Sequence, residues 1–299
     1  METVGFIGLG IMGLPLCRNL LRAGYAVVVH DVAPAAVAAA VAAGAVAAGS
    51  SSAVAARCDT VIAMLPNSPH VRAALLGPDG VAAGARPGAL VIDMSSIDPT
   101  VSREVGAALA GAGLRFLDAP VSGGEPKAVD GTLAIMVGGA ALDFAEALPL
   151  LRRLGGTIVH CGDVGAGNVA KLANQIIVGL NLAAVAEALA LVARAGVDPA
   201  TVLAAIRGGA AGSAILEAKA SQMLAGDMRP GFRVDLHHKD LANALAAGRA
   251  LGAPLPLTAQ VLELFQAARA AGLGDADHSA IARVYAQLAG AGAGAGTED

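Results

Sequence analysis

The chain has 299 residues, 56% of them hydrophobic but only 2% aromatic, with a formal net charge of −4. That length allows two modest domains with buried cores, and the mild acidity (pI near 5.8) leaves no basic footprint for nucleic acid or an anionic membrane surface. The three cysteines, at 17, 58 and 161, are odd in number and lack metal-ligand spacing, which points to a reducing compartment rather than a disulfide framework.

A mean hydropathy of +0.64 raises the question of membrane spans. The longest charge-free stretch, Val32–Ala56, is broken by Pro34, Gly44, Gly49 and Ser50–Ser52, whereas a spanning helix needs about 20 continuous apolar residues. The opening METVGFIGLG has no basic region or cleavage site, so a soluble, cytoplasmic protein is expected.

The first half alternates short apolar runs with helical patterns. Strands are expected at Val4–Gly8, Ala26–His30, Thr60–Met64, Leu90–Met94 and Arg115–Asp118, with helices at Met12–Ala23, Ala35–Ala43, Ser68–Leu76 and Thr100–Ala112. Strands at Leu133–Val137 and Gly156–His160 flank a helix at Ala141–Arg153. This is the alternation of a mostly parallel sheet covered on both faces. The pattern changes at Gly167, where one apolar helix runs to about Ala195 and should be buried on most of its surface. Only helical segments follow, near Ala200–Arg207, Leu236–Leu251, Thr258–Ala270 and Ser279–Leu288. The fold class expected is α/β: a Rossmann-like N-terminal domain over 1–163, then an all-α domain over 164–290 joined by the long helix, with a low-complexity tail at 291–299.

Gly8-Leu9-Gly10-Ile11-Met12-Gly13 lies between the first strand and first helix, as a dinucleotide loop requires. Gly8 permits the tight turn, Gly10 lets a pyrophosphate approach the backbone, and Gly13 lets helix and strand pack closely. A glycine-rich turn without a ligand is the plainer alternative. Asp31 ends the second strand about 20 residues on, where a carboxylate accepts from ribose hydroxyls and repels a 2′-phosphate. Val32, Ala33 and Pro34 offer no arginine for that phosphate, so NAD(H) should be preferred, with NADP(H) possible. A cap for the helix at Pro34 is the other use for Asp31. Later strand ends should complete the cofactor site, through Leu65 and Pro66 after Thr60–Met64 and through Ser96 after Leu90–Met94; Ser96 equally suits a helix cap.

Reducing a carbonyl creates a developing alkoxide that needs a proton or cation nearby. Four of the 20 basic residues are lysines, leaving 16 arginines, and one of the four, Lys171, lies in the first turns of the long apolar helix. Asn174 and Gln175 follow at i+3 and i+4, on the same face; a lysine snorkelling to solvent is the alternative. A lysine at its ordinary pKa of about 10.4 is protonated at neutral pH, which suits an acid in the reductive direction. Ser122-Gly123-Gly124, after a strand end at Asp118, can offer successive backbone N–H groups to a substrate carboxylate or can be an ordinary turn between strands. No metal is expected: adjacent His237 and His238 do not share a helix face, and no other cluster has ligand spacing. Ser122 lacks the GxSxG context of a hydrolase.

With these residues together, the chain resembles the β-hydroxyacid dehydrogenases over nearly its whole length, to about Leu288. GFIGLGIMG, MLPNSPHV, IDMSSIDP, DAPVSGGEPKAVDGTL, GAGNVAKLANQ, AIRGG, GFRVDLHHKDLANAL and DHSA carry the resemblance. It implies reduction of a small carboxylate-bearing aldehyde by NAD(P)H, with Lys171 catalytic, Ser122, Gly123 and Gly124 holding the carboxylate, and Asn174 beside the lysine. It further implies a homodimer or homotetramer, and that Lys239 reaches the cofactor or cleft from the second domain. The family often has a second Asn where this chain has Gln175. Loss of Lys171 or of the Ser-Gly-Gly turn would mark a non-catalytic dinucleotide-binding protein; both are present.

Overall fold

The computed structural model describes residues 3–290; the tail expected at 291–299 lies outside them. The chain divides into two compact units between Lys171 and Leu172, inside the long helix rather than before it.

The first unit opens with β1 (Thr3–Ile7), α1 (Gly13–Arg22), β2 (Ala26–His30), α2 (Pro34–Ala42), β3 (Val46–Ala47), α3 (Ser51–Ala55), β4 (Thr60–Ala63), α4 (Ser68–Leu76) and α5 (Val81–Gly84). It continues through β5 (Leu90–Asp93), α6 (Pro99–Gly111), β6 (Arg115–Asp118), β7 (Val121–Ser122), α7 (Gly124–Asp130), β8 (Leu133–Gly139), α8 (Ala141–Leu151) and β9 (Gly155–Gly162). The strand order is β3-β2-β1-β4-β5-β6-β8-β7, with β9 on β8. Strands β1 to β6 are parallel, while β8 runs antiparallel to β6 and β7. The order reverses between β1 and β4, where ligands of such sheets bind beyond the carboxyl ends.

Side-chain alternation explains why the sheet is covered on both faces. Val4, Phe6, Val27, Val29, Ile62 and Ile92 enter one core, with Leu16 and Leu20 of α1. Ile7, Val28, Val61, Ala63 and Val91 enter the other, with Val54, Leu75, Val105 and Leu109. Strands buried on both sides read as continuous apolar runs, as these do.

The long helix α9 (Ala166–Arg194) crosses the division. The second unit adds α10 (Pro199–Ile206), α11 (Ala214–Ala225), α12 (Val234–Leu251), α13 (Pro256–Ala270), a short 3₁₀ turn (His278–Ala280) and α14 (Ile281–Leu288). Its core holds Leu182, Ala186, Val234, Leu241, Phe265 and Ile281. The chain buries only a third of the most apolar stretch of α9, where the sequence pattern suggested most of its surface. Val169, Ala173, Ile177, Ala184, Ala188 and Leu191 leave an exposed apolar stripe, with Ile177 at 62% and Leu191 at 71% exposure.

Candidate active site

The glycine loop shows why each glycine is there. Gly8 has φ +92°, and a Cβ on it would lie 2.2 Å from the Met64 carbonyl oxygen. A Cβ on Gly13 would lie 1.9 Å from the Gly8 carbonyl oxygen, so the loop closes on the start of α1 only without a side chain. Gly10 differs: a Cβ there meets nothing within 4 Å, and the residue is exposed. The fold needs Gly8 and Gly13 bare, while the open space over Gly10 is a cradle that suits a pyrophosphate. Ile11 is exposed and Met12 half-buried beside it.

Asp31 follows β2 and does not cap α2; the cap position is Ala33. Its carboxylate accepts from Leu9 N–H at 2.6 Å and from Ala33 N–H at 2.7 Å, joining the glycine loop to the β2 turn. Two carboxylate oxygens offer about four acceptor sites, so capacity remains for ribose hydroxyls.

Leu65 and Pro66 leave the carboxyl end of β4. The Leu65 N–H donates to the Ser95 hydroxyl at 2.8 Å, and Ser95 N–H donates to buried Asp93 at 3.0 Å. Ser95 and Asp93 are thus the polar ties of these two turns, which sequence spacing did not single out. Ser96 is half-buried in the same turn; the cap of α6 is Asp98, which accepts from Thr100 N–H.

Ser122 ends β7, and Gly123 and Gly124 open α7 instead of joining two strands. Their φ values of +137° and +69° lie where side chains are strained, so this backbone shape requires the glycine pair.

At the carboxyl end of β6, Asp118 is fully buried and accepts from Gly165 N–H at 2.7 Å and Asn168 N–H at 2.8 Å. Asn168 in turn accepts from Ile97 N–H at 3.0 Å and donates to the Ser102 hydroxyl at 3.0 Å. A Cβ on Gly167 would lie 2.4 Å from the Met136 carbonyl oxygen and 2.5 Å from that of Asp118. The helix start is therefore seated against β6 and β8 and tied to the turn that contains Ser96. Lys171 lies one turn beyond Asn168 and is only 5% exposed, which removes the reading of a lysine snorkelling to solvent.

Asn174 and Lys239 belong to the second unit. There Gln175 donates to Asp240 at 2.7 Å, and Lys239 pairs with Asp240 at 3.1 Å. His237 Nε2 meets the Gln175 carbonyl oxygen at 3.1 Å, and a Cβ on Gly179 would lie 2.9 Å from that nitrogen. His237 Nδ1 is 3.0 Å from His278 Nδ1. A carbonyl only accepts, so Nε2 of His237 carries its proton; with neutral rings, His278 Nδ1–H then donates to His237.

Two family models cover most of the chain. Residues 3–162 match the NAD binding domain of 6-phosphogluconate dehydrogenase, and 165–285 match the NAD-binding domain of NADP-dependent 3-hydroxyisobutyrate dehydrogenase. The chain is 42% identical over 286 residues to 2-hydroxy-3-oxopropionate reductase of Escherichia coli, covering 96% of this chain and 98% of that one. It is 41% identical over 288 residues to 2-(hydroxymethyl)glutarate dehydrogenase of Eubacterium barkeri, covering 96% of each. A solved structure of Mycobacterium tuberculosis 3-hydroxyisobutyrate dehydrogenase with L-serine superposes with TM-score 0.88 at 37% identity, covering 95% of this chain and 98% of that one. Fold and similarity together define an NAD(P)-dependent oxidoreductase. The chain belongs to the β-hydroxyacid dehydrogenase family.

Proposed function

We propose that the enzyme reduces tartronate semialdehyde (2-hydroxy-3-oxopropanoate) to D-glycerate, using NADH in preference to NADPH. The observation that carries the catalytic part is the burial of Lys171 in a seated helix start. An ammonium removed from water interacts strongly with charge that develops beside it. The Ser122-Gly123-Gly124 turn and Asn174 hold the substrate carboxylate and hydroxyl, so that the aldehyde oxygen faces Lys171. Lys171 polarises that oxygen and donates its proton as the alkoxide forms. Gly8, Gly10, Ile11, Met12 and Gly13 cradle the cofactor phosphates, Asp31 takes the ribose, and Leu65, Pro66 and Ser96 flank the nicotinamide side, with Lys239 assigned to the cofactor by family resemblance. Bound there, the nicotinamide would supply the hydride. The choice of substrate rests on the 42% relative and on the runs PNSPHV and GGEPKAVDGTL.

Related hydroxyacids differ by a methyl or a longer chain, discriminations worth about 1–3 kcal/mol in an apolar pocket. A panel of tartronate, succinic and methylmalonic semialdehydes, glyoxylate and 2-formylglutarate, run with both reduced cofactors, tests the assignment by kcat/KM. A higher value for any other substrate would replace the one named. Lys171→Ala should lower kcat by about 10²–10⁴-fold with NADH affinity near normal; turnover within a few-fold of the parent would remove Lys171 from the chemistry.

We also infer a cytoplasmic homo-oligomer in which a second copy covers the apolar stripe of α9. This helix is long and apolar enough to cross a membrane, but Asn168, Lys171 and Gln175 lie on its buried face. An exposed stripe rimmed by polar residues is typical of a protein interface. Light scattering should give a dimer or tetramer, and Ile177→Glu should shift it towards monomer; a monomeric parent would refute this.

A further inference from the structure

Among the described residues, Asp118 is a buried carboxylate with no place in the chemistry above. It is fully buried, and both its oxygens are engaged, one by Gly165 N–H and the other by Asn168 N–H. Ordinary helix caps are short polar side chains at the helix's own first position. This one arrives from a strand end about 50 residues earlier, inside the protein. It is also packed without slack: a Cβ on Gly138 would lie 2.4 Å from its Oδ1, and one on Gly167 would lie 3.0 Å from its Oδ2.

Everything that Asp118 fixes leads to one residue. Asn168 receives its backbone restraint from Asp118, and its side chain bridges Ile97 N–H and Ser102. One turn later on the same buried face stands Lys171. We propose that Asp118 is a positioning residue for Lys171, and that only its ionised form, which accepts both N–H groups, holds the helix start in the register needed for turnover. This rests on the reading of Lys171 as the proton donor.

Protonation would place a hydrogen on one oxygen and leave one of the two buried N–H groups facing a poorer acceptor. Burial pushes the Asp118 carboxyl up to about 6, against the backbone N–H groups of Gly165, Asn168 and Asp118 itself and against Arg103, which draw it down. The groups around it are few. Arg103 of α6 lies over Gly165, Cys161 stands on β9, Asp93 is in register on β5, and Lys171 follows on α9. Asp163 precedes the helix in the β9–α9 loop, while β7 and β8 bring no titratable side chain. The change between the two forms therefore centres near pH 6.

The test compares kcat from pH 5 to pH 8 for the parent, Asp118→Asn, Ser102→Ala and Lys171→Ala, with NADH and the preferred semialdehyde. The parent should lose kcat on the acid side with a midpoint near 6. Asp118→Asn keeps the shape but presents one oxygen and one NH₂, so it mimics the protonated state. Its kcat at pH 8 should drop by roughly tenfold to a hundredfold, the scale of a misplaced catalytic group, and should be flat across the range. NADH affinity should stay within twofold and the melting temperature near that of the parent. Ser102→Ala disturbs Asn168 alone and should cost a few-fold in kcat while keeping the acid limb. A parent profile without an acid limb overturns the proposal, as does an Asp118→Asn enzyme with parental kcat. If Asp118→Asn fails to fold, the parent and Ser102→Ala profiles still decide. Lys171→Ala separates the two readings: if it remains active, the proton-donor assignment fails, whereas an inactive Lys171→Ala beside a normal Asp118→Asn removes only the positioning role.

Discussion

The two units bury polar groups in different ways. In the first, buried polar side chains face backbone: Asp118 caps α9, Asp93 holds Ser95 N–H, Asn168 holds Ile97 N–H, and Ser95 holds Leu65 N–H. In the second they face one another or span elements. His278 meets His237, Gln175 meets Asp240, and Lys219 meets Asp277 at 2.9 Å. A parallel sheet forces the first arrangement, because strands end at one edge with unpaired backbone groups that short polar residues satisfy. A helical unit satisfies most of its own backbone, so its buried polar side chains also pair with one another, although Asp277 accepts from Gly231, Phe232 and Ser279 N–H as well. The first design ties the strand-end turns to one another. The second builds cross-links between helices.

The largest effects should come from the first unit, where two glycines of one loop ought to behave oppositely. Gly13→Ala drives a Cβ to 1.9 Å from the Gly8 carbonyl oxygen. The backbone must shift, and a loss of about 3 kcal/mol in urea unfolding is expected. Gly10→Ala meets nothing in the protein, so stability should hold within about 0.5 kcal/mol. Its NADH Kd should nevertheless rise roughly tenfold or more, since about 1.4 kcal/mol of crowding against the phosphates is a factor of ten. Equal stability losses in both variants would show that the loop has no space reserved for a ligand.

This contrast also explains what could be read from the amino-acid order alone. In the first unit, the positions of the Gly8–Gly13 loop, Asp31, Leu65, Pro66 and Ser96 beyond strand ends were legible because each follows a strand with a clear apolar run. Lys171 was legible because a cation interrupts an apolar helix. Asp118 and Asn168 were not legible as a pair: they lie 50 residues apart, and each resembles an ordinary strand end or helix residue. α7 was hidden because the Ser-Gly-Gly turn and Pro126 read as a loop, and β3, α3 and α5 are too short to show a period. α11 did leave local signs, with Ser213 accepting from Leu216 N–H at its start and Gly226 in a left-handed conformation at its end. In the second unit, the His237–His278 contact spans 41 residues and no local pattern announces it. Gln175, a departure from the family's usual Asn, gains its meaning only from Asp240.

The smaller effect is a difference in sign under acid. Burial, then the neighbouring His237, hold His278 well below the ordinary histidine range. A folded state whose histidine resists protonation binds fewer protons than the unfolded chain, so its stability is full above about pH 6.5 and is lost as pH falls below that. Asp118 works in the other direction. Its carboxyl stands at about 6 against a reference of 3.8, so the folded state binds more protons between about pH 4 and 6. Stability from that group therefore falls as pH rises through the window, by an amount on the order of 3 kcal/mol. Acid should thus loosen the helical unit while tightening the sheet. Amide protection factors at pH 7.5 and pH 5, corrected for intrinsic exchange, check this: Leu241 and Phe265 should lose protection, and Phe6 and Ile92 should keep or gain it. His278→Ala removes the 3.0 Å contact to His237 Nδ1 and should cost about 1–3 kcal/mol at pH 7.5, with a reduced further loss at pH 5. Protection that falls alike in both units would mean that neither group governs its own unit, and that the pH response is a property of the chain's net charge.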